Sequence, residues 1–285
     1  MNPEIDTRQV TAVEVEVQRI YLSVFPRGNR SFIPMVFGWA RDAFTGNYRD
    51  YLPIDARYHD FEHTLQGTLC MARLLRGYVV CKGSPTMTQR MFELGTIAIL
   101  MHDTGYLKPR GDSDGTGAKY TLIHVNRSVE FAGDLLREKK GFTEFEIKGV
   151  QNMIRCTGVN LDLSLIPFQN DLERNAGFAL GTADLLGQMA ARDYVEKLPI
   201  LYSEFAESAR YNSGKGTSTG LFNSPEDLMR KTPLFWQHYV MPKIKKDFQS
   251  LYQFLQDQEG HNTYLERIEA NLDVLRGKFS DRVAA

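Results

Sequence analysis

The chain has 285 residues, 42% of them apolar and 24% charged, and a net charge of −1. That balance describes an ordinary globular protein and provides no field for holding nucleic acid or an anionic membrane. No run approaches the ~18 apolar residues of a bilayer span, and MNPEIDTRQV has no basic segment leading into an apolar one. No signal peptide is therefore expected, and the cytoplasm is the expected compartment.

Apolar spacing near 3.6 residues runs through most of the chain and predicts an all-α fold. A first helix is expected over residues 4–24, with Val13, Val17, Ile20 and Tyr21 inward, stopped by Pro26-Arg27-Gly28. Others are expected over 31–45, from His59 to about Val80, and over 86–102 after Ser84-Pro85. Residues 104–120 hold four glycines and Pro109 and read as a loop. Further helices are expected over 123–138, 143–156, 172–189 and 193–208. A Gly/Ser/Thr-rich loop follows over 211–223, then a helix start at Ser224-Pro225-Glu226 and helix bodies over 243–256 and 262–276. The aromatic cluster around Trp236 is expected in the core or at an oligomer contact, and Lys243 to Lys246 on a solvated helix face. Three cysteines, Cys70, Cys81 and Cys156, lack Cys-x-x-Cys spacing and read as reduced thiols rather than disulfides or zinc ligands.

Six histidines occur in the chain, and four of them, His59, His63, His102 and His124, fall within 66 residues. On a helix, His59 and His63 would share a face. His102-Asp103 ends the most apolar predicted helix, and Asp184 stands alone in Gly181-Thr182-Ala183-Asp184-Leu185-Leu186. A buried carboxylate in such surroundings needs a hydrogen bond, an ion pair or a metal. Imidazole with carboxylate suits zinc, iron, manganese or nickel, and such a site can activate water at neutral pH.

Tyr58-His59-x-x-x-His63, then His102-Asp103 after an apolar helix, then Asp184 in an Ala-Asp-Leu context resembles the HD-domain metal-dependent phosphohydrolases, and among them the cyclic-nucleotide phosphodiesterase branch. The likeness runs over residues 58–205. It implies an HD-type helical bundle over 58–210, with N-terminal helices (1–57) and C-terminal helices (211–285) packed on it. His63, His102, Asp103 and Asp184 match the positions that bind the first metal, and Asp103 is placed to bridge to a second. His59 matches the general acid, so His59 and Asp103 are the catalytic pair the likeness implies. His124 matches a second-metal ligand or a residue supporting one. The implied cofactor is one or two divalent ions, with Mn, Fe, Zn, Ni and Mg undistinguished, and the implied partner is a small phosphate mono- or diester, nucleotides included.

The chain departs from that branch in four places, one of them after Phe205, where Ala206-Glu207-Ser208 stands in place of the Gln-Gly-Asp that closes the cyclic-nucleotide pocket. Asp60 stands where an asparagine is usual. Thr104-Gly105-Tyr106 follows His102-Asp103 in place of a further histidine, and Arg155-Cys156-Thr157 stands where some binuclear members have a ligand. Lys108, Arg110 and Lys119, in the loop after His102-Asp103, are candidate contacts for substrate phosphate. Two other functions compete. His59-x-x-Glu62-His63 fits the inverted zinc-peptidase pattern, with Glu62 as base. A regulatory module that holds metal or nucleotide without turnover would carry the same ligands. Neither nucleic acid nor membrane is an expected partner, and homo-oligomers are left open.

Overall fold

The structure is a computed structural model that describes residues 5–158, 162–213 and 222–280. Among these residues there are ten α-helices and no strand; a single isolated bridge joins Tyr51 to Pro109. The all-α expectation is met.

Three helices make the centre. Helix α3 (Phe61–Val80) buries thirteen of its twenty residues and α7 (Asp171–Met189) thirteen of nineteen. In α4 (Gln89–Met101) everything from Phe92 onward is buried. Helices so apolar all round belong to a core and leave little side to solvent. Helix α1 (Val10–Val24) lays Val13, Val17, Ile20 and Tyr21 against α3, and α2 (Phe32–Phe44) packs on α4. Helices α5 (His124–Lys139) and α6 (Glu144–Arg155) pair with each other, and α6 closes on α4 and α7. Helix α8 (Tyr194–Asn212) covers the loop after His102-Asp103, while α9 (Pro225–Phe235) and α10 (Thr263–Ser280) close the remaining side.

The closest approach of α3 and α7 depends on glycine. A Cβ on Gly187 would lie 2.8 Å from the Gln66 carbonyl oxygen and 2.9 Å from Gly67 Cα. Gly67 is one turn beyond His63 and Gly187 is three residues beyond Asp184, so this contact brings the imidazole and the carboxylate to one point.

Several expectations are corrected. Helix α3 begins at Phe61, after an Asp60 N-cap whose carboxylate accepts from the His63 backbone N–H at 2.8 Å, so His59 precedes the helix and does not share a helix face with His63. The first helix begins at Val10; Glu4 lies outside the described residues. The loop over 104–120 contains two 3₁₀ turns, Thr104–Tyr106 and Gly117–Tyr120. Helix α8 runs to Asn212, and 214–221 of the expected loop lie outside the described residues. Residues 243–256 are not one α-helix: a π turn (Lys243–Asp247) gives way to a 3₁₀ segment (Leu251–Leu255), with Gln249 and Ser250 at positive φ between them. In that π turn Lys243 is buried, its ammonium over the Tyr239 and Phe248 rings, whereas Lys245 and Lys246 are exposed as expected. Cys70 and Cys156 are buried and Cys81 is exposed, all three as free thiols.

Candidate metal centre

His63 lies in the first turn of α3, His102 and Asp103 follow the last residue of α4, and Asp184 lies in α7. The fold brings all four side chains together. His63 Nε2 is 3.2 Å from Asp103 Oδ2 and 3.3 Å from Asp184 Oδ1. His102 Nε2 is 3.3 Å and 3.4 Å from the same two oxygens. His63, His102 and Asp103 are almost wholly buried, and Asp184 retains 14% side-chain exposure. Local bonds aim the donors. His102 Nδ1 donates to the Ile99 carbonyl at 2.7 Å, which fixes the tautomer and turns Nε2 inward. Gln188 donates to the Asp184 carboxylate at 3.4 Å and accepts from the Tyr58 hydroxyl at 2.9 Å.

His102 Nε2 and Asp103 Oδ2 are buried and have no hydrogen-bond partner. Leaving two such atoms unsatisfied is costly. They face each other together with two further donors, at separations of 3.2–3.4 Å. Ligands ~2.0–2.2 Å from a common ion stand roughly 3–3.4 Å apart, so the donor set fits one divalent cation. His63, His102 and Asp103 form the group able to hold a metal among the described residues, and Asp184 adds a second carboxylate to it.

The charges are mutually dependent. Burial pushes the His63 imidazole down, but Asp103 and Asp184 outweigh it and raise it to about 9. His102 is likewise raised, against burial, by the same carboxylates. Burial pushes Asp103 and Asp184 up, and the two imidazoles bring both well below the ordinary carboxylate range.

His59, although off the helix, faces the same pocket, its ring 5.3 Å from that of His63. Its Nδ1 is 2.6 Å from Glu204 Oε2, and Glu204 Oε1 accepts the Tyr58 backbone N–H at 2.7 Å. Burial pushes Glu204 up, and His59 together with backbone N–H groups pulls it below its ordinary value. Nothing in the sequence marks Glu204: it is one acid among several on α8, 145 residues from its partner.

His124 begins α5. Its Nδ1 donates to the Thr121 carbonyl at 2.7 Å, and its Nε2 is 3.8 Å from Asp103 Oδ1, the oxygen turned away from His63 and His102. Gly105 permits this approach, since a Cβ there would lie 1.9 Å from the His124 carbonyl oxygen.

The three loop cations are held elsewhere. Lys108 pairs with Asp55 at 2.8 Å and donates to the Gly115 carbonyl at 2.6 Å. Lys119 is buried against Asp112 and the Asp114 carbonyl. Arg110 is exposed and donates to the Gly46 carbonyl at 3.0 Å. Each ties down the loop, because its charge is already met by an acid or a carbonyl. Glu62, the base in the peptidase pattern, pairs with Lys197 at 2.8 Å and accepts from Thr7 at 3.2 Å. It lines a cleft of about 570 Å³ that includes none of the four clustered side chains. With Glu62 turned there and His59 off the helix, the geometry of that pattern is not met.

No helix among the described residues is long and apolar enough to cross a membrane. The fold is similar to that of the phosphodiesterase domain of a rhodopsin phosphodiesterase from Salpingoeca rosetta, with a TM-score of 0.58, 16% identity, and 94% of this chain matched to 89% of that one. No curated protein matches the sequence. The family described as Npun_R2479-like matches residues 15–274, and the chain belongs to that family.

Proposed function

We propose that the chain is a metal-dependent phosphohydrolase of the HD type, acting on a small phosphate mono- or diester, with nucleotides the leading class. The observation that carries this reading is the pair of buried, unpartnered atoms, His102 Nε2 and Asp103 Oδ2, facing His63 and Asp184 across 3.2–3.4 Å. His63, His102, Asp103 and Asp184 would hold the ion. A divalent cation in that position supplies Lewis-acid activation of water and of a phosphoryl oxygen.

The rest of the chemistry falls to side chains of the pocket. His59 keeps 15% exposure at the edge of the cluster, where a substrate can reach it. Glu204 takes the Nδ1 proton at 2.6 Å and so leaves Nε2 to carry the proton delivered to the leaving oxygen. Gln188 and Tyr58 hold Asp184 from behind. The phosphodiesterase domain similar in fold supports the reading at the level of architecture. The reading is tested by metal analysis of protein purified without chelator, followed by assay of mononucleotides, cyclic nucleotides and generic phosphodiesters with Mn²⁺, Mg²⁺ and Ni²⁺. Protein that is empty and also refuses added Mn²⁺, Fe²⁺ and Zn²⁺ overturns it. So does metal-loaded protein that turns over none of these esters, which would favour a regulatory module.

A further inference from the structure

Tyr106 has no part in the scheme above, yet it lies in the middle of the pocket. Its ring stacks on two imidazoles, 4.5 Å from His59 at an interplanar angle of 13° and 4.6 Å from His124 at 22°, and the two imidazoles are themselves 6.3 Å apart. It is 1% exposed, and its hydroxyl has no hydrogen-bond partner. The nearby Thr121 hydroxyl donates to the Ala118 carbonyl.

The stack borders the second oxygen of Asp103. Asp103 Oδ2 faces His63 and His102, while Oδ1 faces His124 Nε2 at 3.8 Å. Because His124 gives its Nδ1 proton to Thr121, Nε2 presents a lone pair, and two acceptors face one another. They are two protein donors from which a second cation position could be built, against four for the first. The ring beside His124 is Tyr106, whose single oxygen is a neutral phenol and a poor ligand for a first-row dication.

We propose that Tyr106 limits the centre to one tightly held divalent ion, its ring standing where a third protein donor to a second ion would have to stand. This rests on the metal reading above. An ion beside His124 and Asp103 Oδ1 would take most of its ligands from water and would be lost on desalting.

The test is the metal-to-protein ratio of Mn²⁺-loaded, desalted protein, together with its electron paramagnetic resonance spectrum. Wild type is expected to retain one ion per chain with the spectrum of isolated Mn²⁺. Tyr106→Phe keeps the ring and is expected to match it. Tyr106→His puts an imidazole beside His124 and is expected to retain two ions with a spin-coupled spectrum. Wild type at two ions overturns the proposal, as does Tyr106→His that folds by circular dichroism yet stays at one. If Tyr106→His fails to fold, Tyr106→Asp, which puts a carboxylate beside His124, is expected to retain two ions, and one ion there overturns the proposal. No ion in any of these proteins brings down the metal reading itself.

Discussion

The loop cations Lys108, Arg110 and Lys119 fall in the chain between members of the cluster of His63, His102, Asp103 and Asp184, but the two sets are built by opposite means. The cluster is carried on the turns and ends of buried helices, whose packing leaves two of its facing atoms, His102 Nε2 and Asp103 Oδ2, without a hydrogen bond. The cations sit on a loop where acids and carbonyls, its own and those of Gly46 and Asp55, already engage them. A charge is available for chemistry where the fold withholds a partner from it, and structural where the fold provides one.

The largest expected effect is at the cluster. Asp184→Asn should lower metal affinity by more than about 100-fold, beyond what losing an outer partner of a ligand costs, as measured by competition with a chelator, and turnover should vanish with it. Next is His59→Ala, expected to slow hydrolysis by about 10²–10⁴-fold at unchanged metal content; a rate within twofold of wild type would remove His59 from the chemistry. Glu204→Gln should lose roughly 10- to 100-fold, a fraction of the contribution of the acid it orients, and should shift the alkaline limb of the pH–rate profile while the metal stays bound.

A pH effect comes next. His63 in the metal-free protein titrates at about 9, above its ordinary 6.5, so its pairing with Asp103 and Asp184 stabilises the fold fully below 6.5 and is lost as pH rises through 9. Thermal melts of metal-free protein should fall over that window. Metal affinity should rise over it, because the imidazole must lose its proton to ligate. The smallest kinetic effect is expected at the loop. Lys119→Met should leave KM and kcat near wild type and cost about 1–3 kcal/mol of stability, read as a lowered Tm. A tenfold rise in KM with Tm unchanged would instead make Lys119 a substrate contact and erase the contrast between the two regions.

Much of this was legible in the sequence, for identifiable reasons. Periodicity marks α1 because its inward stripe is Val13, Val17, Ile20 and Tyr21, and length marks α4 because its apolar run continues too far for a strand. Isolated polar residues in apolar company, His102-Asp103 and Asp184, mark the cluster because burial without a partner is costly. What escaped depends on tertiary geometry. The i and i+4 spacing of His59 and His63 suggests a shared helix face and does not reveal that Asp60 caps α3. Glu204 looks like any surface acid until α8 is seen to bring it to His59. Residues 243–256 have an apolar pattern that a π turn, a 3₁₀ turn and an α-helix can all satisfy. Tyr106 is a departure from a pattern in the sequence, and only the structure places it against the His59 and His124 rings.

The four donors come from three stretches of chain separated by 39 and 81 residues, each rooted in a different central helix. A cation gripped by all of them is therefore also a clasp, cross-linking α3, the end of α4 and α7 in a way the unfolded polymer cannot reproduce. Its binding energy adds directly to the folding equilibrium. Starving the protein of its ion should thus shorten its survival against proteases as well as silence it, linking cofactor supply to how much of the protein persists.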